Sequence, residues 1–282
     1  MSVDNFIPQL WTANAMANLK KVQVFAGVAN REYEGEISAF GDSVRVPLIA
    51  ALSATEYTKN STSLTIPKLQ DGASVLTIDQ AYYTGFQVDS VDLAQAKGSL
   101  MQLGTTEAAY ALADNVDTYL AGLYASAGIT RNTNASPVDM TSLNVENEFL
   151  AVAELMDEGN VPRQGRFAII PPWVQTKLVQ AAVTTITDNV DEWKNGLVGT
   201  FGGFKLYVSN NVSKNSTSWD KTRIMCGVER KSYTIAQQLT EVQAYKPESS
   251  FGDAVKMLNL YGAKIIRPDM TACLYADKTA EA

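Results

Sequence analysis

Histidine is absent from all 282 residues. Imidazole is the usual general base near neutral pH and the commonest metal ligand. Its absence excludes Ser-His-Asp and Cys-His catalysis and every histidine-based metal site. Cysteine is nearly absent. Cys226 and Cys273 form no Cys-x-x-Cys pair and are too few for a disulfide framework, so two buried free thiols in a reducing compartment are expected. No stretch of about 18 apolar residues occurs, so no membrane-spanning helix is expected. The N-terminus, MSVDNFIPQLW, lacks the basic and apolar regions of a signal peptide. Asn60-Ser61-Thr62 and Asn215-Ser216-Thr217 match a glycosylation pattern but, without a secretory route, read as polar loops. Lysine and arginine form no basic stripe, and the net charge is −7. A chain that grips nucleic acid must neutralise phosphates, so tight DNA binding by this chain is not expected.

What is present is apolar. Hydrophobic residues make up 46%, enough for one large domain or two lobes sharing a core. Charged residues make up 19%, below the usual quarter or so, which suits a subunit that hides surface against copies of itself. Phe6, Ile7, Leu10 and Trp11 give the first forty residues the character of an arm that needs a surface to cover, its own core or a neighbour's.

Asp42-Ser43-Val44-Arg45-Val46-Pro47 alternates as a half-buried strand does. Val75 to Asp79 and Tyr83 to Val88 read as two more strands. The polar stretch between them, with Tyr57, Lys59 and Lys68, reads as a long two-stranded loop. An isolated hairpin is marginal in water, so such a loop is expected to lie on something. Lys59 and Lys68 are solvated charges or partners of a neighbour's carboxylates.

The strongest helical signal follows. Ser99 to Gln102 fits a capping box, and Leu112, Val116, Tyr119 and Leu123 share one face. From Ser99 to Ser126 the helix would be about 40 Å long. Residues 129–142 read as a polar linker. Helices and strands then alternate: a helix over Val145 to Met156, a strand at Arg166 to Ile170, a helix opened by Pro171-Pro172, and strands at Phe204 to Val208 and Thr222 to Cys226. Residues 143–245 are therefore expected to form an α+β lobe. Segments 254–267 and 271–276 are expected to return as strands against the long helix.

The motifs carry little chemistry. Gly199-Thr200-Phe201-Gly202-Gly203 precedes a strand, whereas a dinucleotide fingerprint follows one, so a tight turn is expected. Gly227 to Ser232 ends in Lys-Ser at the wrong spacing for a phosphate loop. The acids Glu146, Glu148, Asp157, Glu158, Asp188, Asp191 and Glu192 read as solvated or helix-first-turn groups. No calcium loop, cofactor site or metal site is expected. In the Gly-rich stretch 188–203, Trp193 beside Asp191 either caps its own lobe or meets a partner.

The order of parts is an N-terminal arm, a long extended loop, a long helix, an α+β lobe and returning strands. It resembles the tailed-bacteriophage major capsid fold, shared with encapsulins and herpesvirus capsid proteins. Local phrases agree: Tyr33-Glu34-Gly35-Glu36-Ile37 with Gly41 to Val44, Phe86 to Asp92 with Gln95, Ile169-Ile170-Pro171-Pro172, Gly202 to Asn211, and Tyr261 to Pro268. The resemblance spans residues 30 to 275. It implies an α+β chain divided into an arm (1–40), an extended β loop with flanking strands (41–88), a peripheral lobe with a spine helix (89–142 and 246–282) and an axial lobe (143–245).

By the same resemblance, the chain would be a structural subunit and not an enzyme. It would assemble in host bacterial cytoplasm into pentamers and hexamers of an icosahedral virion capsid around double-stranded DNA. Partners would be copies of itself, a separate scaffolding protein, a portal and decoration proteins, with no membrane. Subunit contacts would fall at Trp11, Tyr57, Lys59, Lys68, Asp191 and Trp193. An encapsulin-like compartment is the nearest alternative, and a histidine-free enzyme is the alternative from another class.

Overall fold

A computed structural model describes residues 24–33, 41, 43–49, 59, 71–89, 100–181, 185–186, 197–215, 220–247 and 252–278. In chain order the elements are α1 (Phe25–Val28), β1 (Ser43–Ile49), β2 (Asp71–Thr77), β3 (Gln80–Asp89) and α2 (Leu100–Gly122). Next come β4 (Ile129–Arg131), β5 (Val138–Asp139), α3 (Val145–Glu158), β6 (Arg166–Ile170), α4 (Pro172–Gln180), β7 (Thr185–Ile186) and β8 (Leu197–Phe201). The chain closes with β9 (Phe204–Val208), β10 (Lys221–Val228), β11 (Tyr233–Tyr245), β12 (Gly252–Ile265) and β13 (Ala272–Asp277). Three sheets result: a two-stranded ribbon β1-β2, a three-stranded sheet β11-β12-β3, and an eight-stranded mixed sheet ordered β4-β13-β10-β6-β9-β8-β7 with β5 also on β13.

The central strand β6 is buried along its whole length, as a strand covered on both faces must be. Ala168 and Ile170 meet α3 and α4 through Phe149, Val152, Met156, Val174 and Leu178. The alternate residues Phe167 and Ile169 face Phe25, Val116, Leu120 and Tyr233. The long helix α2 thus joins two cores. Its C-terminal half packs on the eight-stranded sheet, and its N-terminal half lays Ala108, Ala109, Leu112 and Ala113 on Val242, Val255 and Met257 of the three-stranded sheet.

The buried stripe of α2 runs Thr105, Ala108, Ala109, Leu112, Ala113, Val116, Asp117, Leu120 and Ala121. Its spacing of three and one is that of a core-facing helix. Leu112 and Val116 are buried as expected, while Tyr119 and Leu123 sit at the stripe's edge, half-buried. The α-helix stops at Gly122, and a 3-10 turn carries the chain to Ser126.

Several expectations are corrected. Residues 129–142 are not simply a linker: β4 and β5 pair parallel with β13, because Ile129 and Val138 have the α3 core to cover. The closing strand β13 does not return to the sheet under the spine helix. It pairs with β10 because Ala272, Leu274 and Ala276 complete the α3–α4 core, and it reaches the end of the long helix through the edge-on pair Tyr124–Tyr275. Conversely β11, placed with the α+β lobe by sequence, pairs with β12. Part of the irregular stretch 188–203 is strand β8, hairpinned to β9. There Gly202 and Gly203 take φ of 56° and 85°, so the glycine cluster is the expected tight turn. Cys226 and Cys273 are buried and free. Met225 is opposite Cys273, so the adjacent Cys226 points to the other sheet face, and burial raises both thiols.

One buried ion fixes the end of α3. The Arg166 guanidinium is nearly inaccessible. Nη2 donates to the Val161 carbonyl at 2.6 Å and to Asp157 Oδ1 at 2.7 Å. Nε donates to the Pro162 carbonyl at 3.0 Å and Nη1 to the Ala153 carbonyl at 3.4 Å. Arg166→Met keeps the stem and strips three backbone carbonyls of their donors. Urea unfolding is expected to show a loss of about 3 kcal/mol; a change under about 1 kcal/mol would mean water replaces the guanidinium without cost.

Candidate assembly surface

The alternation read in residues 42–47 is realised as a ribbon with one dry edge. Val44 and Val46 are buried and Ser43 and Arg45 exposed. Val44 stands opposite Leu76, and the pairing runs from Ser43↔Thr77 to Ile49↔Asp71. Seven residue pairs make the ribbon about 20 Å long. Its base sits on Ala236 of β11 and Leu260 of β12 through Val44, Leu76 and Ile78. The Lys264 ammonium donates to the Val75 carbonyl at 3.0 Å, and Gly41 N–H donates to the Ile78 carbonyl at 3.1 Å.

Beside this seat lies a second tie to the long helix. Tyr261 OH donates to Asn115 Oδ1 at 2.6 Å, and its ring stacks on Tyr82 and meets Tyr119 edge-on. Tyr119 OH donates to Asp79 at 3.4 Å, with Asp79 in the turn between β2 and β3. Burial raises both tyrosine hydroxyls. Among the described residues neither ribbon strand pairs with any strand but the other.

Apolar side chains in water are spread over several elements. Tyr83 is 83% and Leu143 is 89% exposed. Tyr82 on β3, Leu150 on α3 and Val179 on α4 are about half exposed. Tyr82 and Tyr83 lie on an edge strand of the three-stranded sheet, where unpaired backbone groups are open to another chain.

A cavity of about 470 Å³ is lined by Gly27 and Val28 of α1, Lys205 and Tyr207 of β9, and the turn that follows β10. Glu229 in its lining accepts from the Lys205 ammonium at 2.9 Å and from Tyr207 OH at 2.9 Å. It presents no nucleophile–base pair. Two of the acids named from sequence are ion-paired. Glu148 pairs with Arg131 at 3.0 Å, and Asp157 is held below the usual carboxylate range by Arg163 and then Arg166. Among the described residues no three His, Cys, Asp or Glu side chains gather as a metal site would need, and no helix is long and apolar enough to cross a membrane.

Of the six contact residues expected from sequence, Lys59 is described and lies exposed in a turn. Trp11, Tyr57, Lys68, Asp191 and Trp193 lie outside the described residues, as do Asp188, Glu192 and the Ser99 cap. Sequence reading missed the ribbon's seat. Its one available signal was Gly262 within a strand, which marks a close approach of backbone.

The ribbon, the long helix and the two sheets together define the fold of shell-forming subunits. The structure overlays on that of Mycobacterium phage Che8 with a TM-score of 0.73 at 24% identity, covering 89% of this chain and 90% of that one. It overlays on the capsid of cyanophage P-SCSP1u with a TM-score of 0.69 at 20% identity, covering 91% and 89%. The holo-SrpI encapsulin complex from Synechococcus elongatus overlays with a TM-score of 0.60 at 11% identity, covering 87% of each chain. No curated protein matches. Residues 68–273 match the family of phage capsid proteins, and the chain belongs to that family. It is a structural subunit of a phage capsid, and its place is the virion shell.

Proposed function

We propose that this subunit assembles with copies of itself into pentamers and hexamers that close an icosahedral shell around double-stranded DNA. The observation that carries the reading is the β1–β2 ribbon, whose base is fixed to the subunit while both strand edges are unpaired within it among the described residues. A two-stranded ribbon with no third strand is marginal by itself, and a neighbouring copy supplies what it lacks. The eight-stranded sheet and its helices form the lobe nearest each ring axis, with Asp191 and Trp193 among the contacts there and Trp11, Tyr57, Lys59 and Lys68 on the sides. Assembly takes place in the host cytoplasm on a separate scaffolding protein, with a portal and decoration proteins added. The chain performs no catalysis and needs no cofactor. A net charge of −7 lets the wall enclose DNA without gripping it.

The purified subunit mixed with its scaffolding partner is expected to give closed particles in negative stain. A species that stays monomeric at high concentration would sink the reading. The encapsulin likeness keeps one alternative, a compartment loaded with protein; particles from infected cells that contain protein cargo and no DNA would favour it. Trp193→Ala is expected to lower particle yield several-fold while the unassembled subunit melts within about 4 °C of wild type. Equal yields would remove Trp193 from the contact set.

A further inference from the structure

The described part of the N-terminal segment enters the fold through one helical turn, α1. Its first backbone N–H groups, those of Val24, Phe25 and Ala26, are aimed at the carboxylate of Asp117 in the middle of α2. Val24 N–H donates to Asp117 Oδ2 at 3.2 Å. The turn's own N-cap side chain supplies no hydrogen bond, so its cap comes from a residue 93 positions along the chain. Asp117 is 3% exposed, and its Oδ1 has no hydrogen-bond partner. Its helix neighbours Val116 and Leu120 share a buried core with Phe25, Val28 and Ile235.

Three further ties hold α1. Tyr233 OH donates to the Phe25 carbonyl at 2.6 Å, Arg230 N–H to the Val28 carbonyl at 2.9 Å and Arg31 Nε to the Ala26 carbonyl at 3.2 Å. A carboxylate shut into an apolar stripe with one oxygen unpaired is costly unless it keeps its proton. The charged group that acts on it is Asp114, one turn earlier on α2; Tyr233 from β11 feels Asp117, and Tyr207 from β9 and Arg31 after α1 act in turn on Tyr233. Asp114 is itself held by Asn211 Nδ2 at 2.6 Å.

We propose that Asp117 is a proton-operated latch on α1: neutral, it seats α1 against the spine helix; charged, it drives α1 out of that seat. Burial is the largest influence on the carboxyl and lifts its pKa from 3.8 to about 7; the three N–H groups offset part of this, and Asp114 adds to it. With α1 released the carboxyl meets water and returns to ordinary acidity. The seated state therefore binds the proton more tightly. Its advantage is complete below about pH 4 and is lost as pH rises through about 7. The latch opens in alkali and closes in acid, the reverse of a group that needs its charge to hold a partner.

The test is hydrogen–deuterium exchange on the unassembled full-length chain, following the peptide that spans residues 24–33. A peptide from α3 in the same digest corrects for the intrinsic pH dependence of exchange. Between about pH 5.5 and 8.5 the opening equilibrium of wild type is expected to rise roughly 30-fold, from the two proton affinities. Asp117→Asn should flatten that dependence. Asp114→Asn, which leaves the latch residue in place, should move the midpoint to lower pH. Exchange at residues 24–33 that tracks α3 at every pH overturns the proposal, as does an Asp117→Asn chain that keeps the wild-type dependence. If Asp117→Asn fails to fold, the midpoint of Asp114→Asn decides: an unmoved midpoint overturns it.

Discussion

Replacing residues 50–70 by a two-residue Asn-Gly turn is expected to leave a folded subunit that no longer closes into particles. Ile49 and Asp71 already face each other across the ribbon, and Asn-Gly between paired positions is the preferred short hairpin turn. The ribbon's footing on Ala236 and Leu260, through Val44, Leu76 and Ile78, is untouched. Far-UV circular dichroism should match wild type and the melting temperature should move by less than about 4 °C, a change of around 1 kcal/mol. Particle yield in negative stain should fall to background, because the proposed assembly has the excised segment meet a neighbouring copy. Normal particles would remove residues 50–70 from assembly. A globally unfolded variant would show that residues 50–70 belong to the subunit's own core.

Gly262→Ala is expected to be the most damaging single methyl in the molecule's surroundings of the ribbon. A Cβ at this position would sit 2.1 Å from the Thr77 carbonyl oxygen, 2.9 Å from its carbon and 3.0 Å from Ile78 Cα. All three are backbone atoms, so no side-chain rotation relieves the clash. Either β12 moves, disturbing its pairing at Ala236, or the end of β2 lifts and pulls Ile78 from its packing. The expected loss is about 2–3 kcal/mol, a fall in melting temperature of roughly 5–10 °C. Because the clash lifts the base of the ribbon, particle yield should fall further than stability explains. Lys264→Met removes one exposed bond to the same strand and should cost under about 1 kcal/mol. If the two variants melt alike, the close approach at Gly262 is not what seats the ribbon.

The helices and most strands were legible because each carries its own periodicity. The α3 stripe of Phe149, Val152 and Met156 and the unbroken apolar run of β6 are local statements. Pairing partners are not local. Nothing in Ala272–Asp277 says that it will slot beside Lys221–Val228 instead of under the long helix, since both sites offer an apolar face; the α3 core still lacking cover decides it. Asp117 was passed over because a lone acid in an alanine-rich helix reads as solvent-facing, and its meaning depends on a turn 93 residues earlier. The contact residues drawn from sequence rested on family likeness, and five of the six lie outside the described residues. The ribbon seat was missed for the converse reason: it is made of backbone approach at Gly262 and a single lysine tie, neither of which has a pattern.

The position of β13 bears on timing during synthesis. This strand, the last of its sheet in chain order, fills the gap between β10 and β4. A nascent chain still held at the ribosome can form the α2 helix and the β6–β9 pair, but it exposes an open slot where β13 belongs. The open edge of β10 is a template for pairing with another chain, so the interval before β13 arrives is one of vulnerability to wrong partners. The sheet closes only after β13 has left the ribosome, so every nascent chain passes through a state that is unfinished in the sheet both helical layers lean upon.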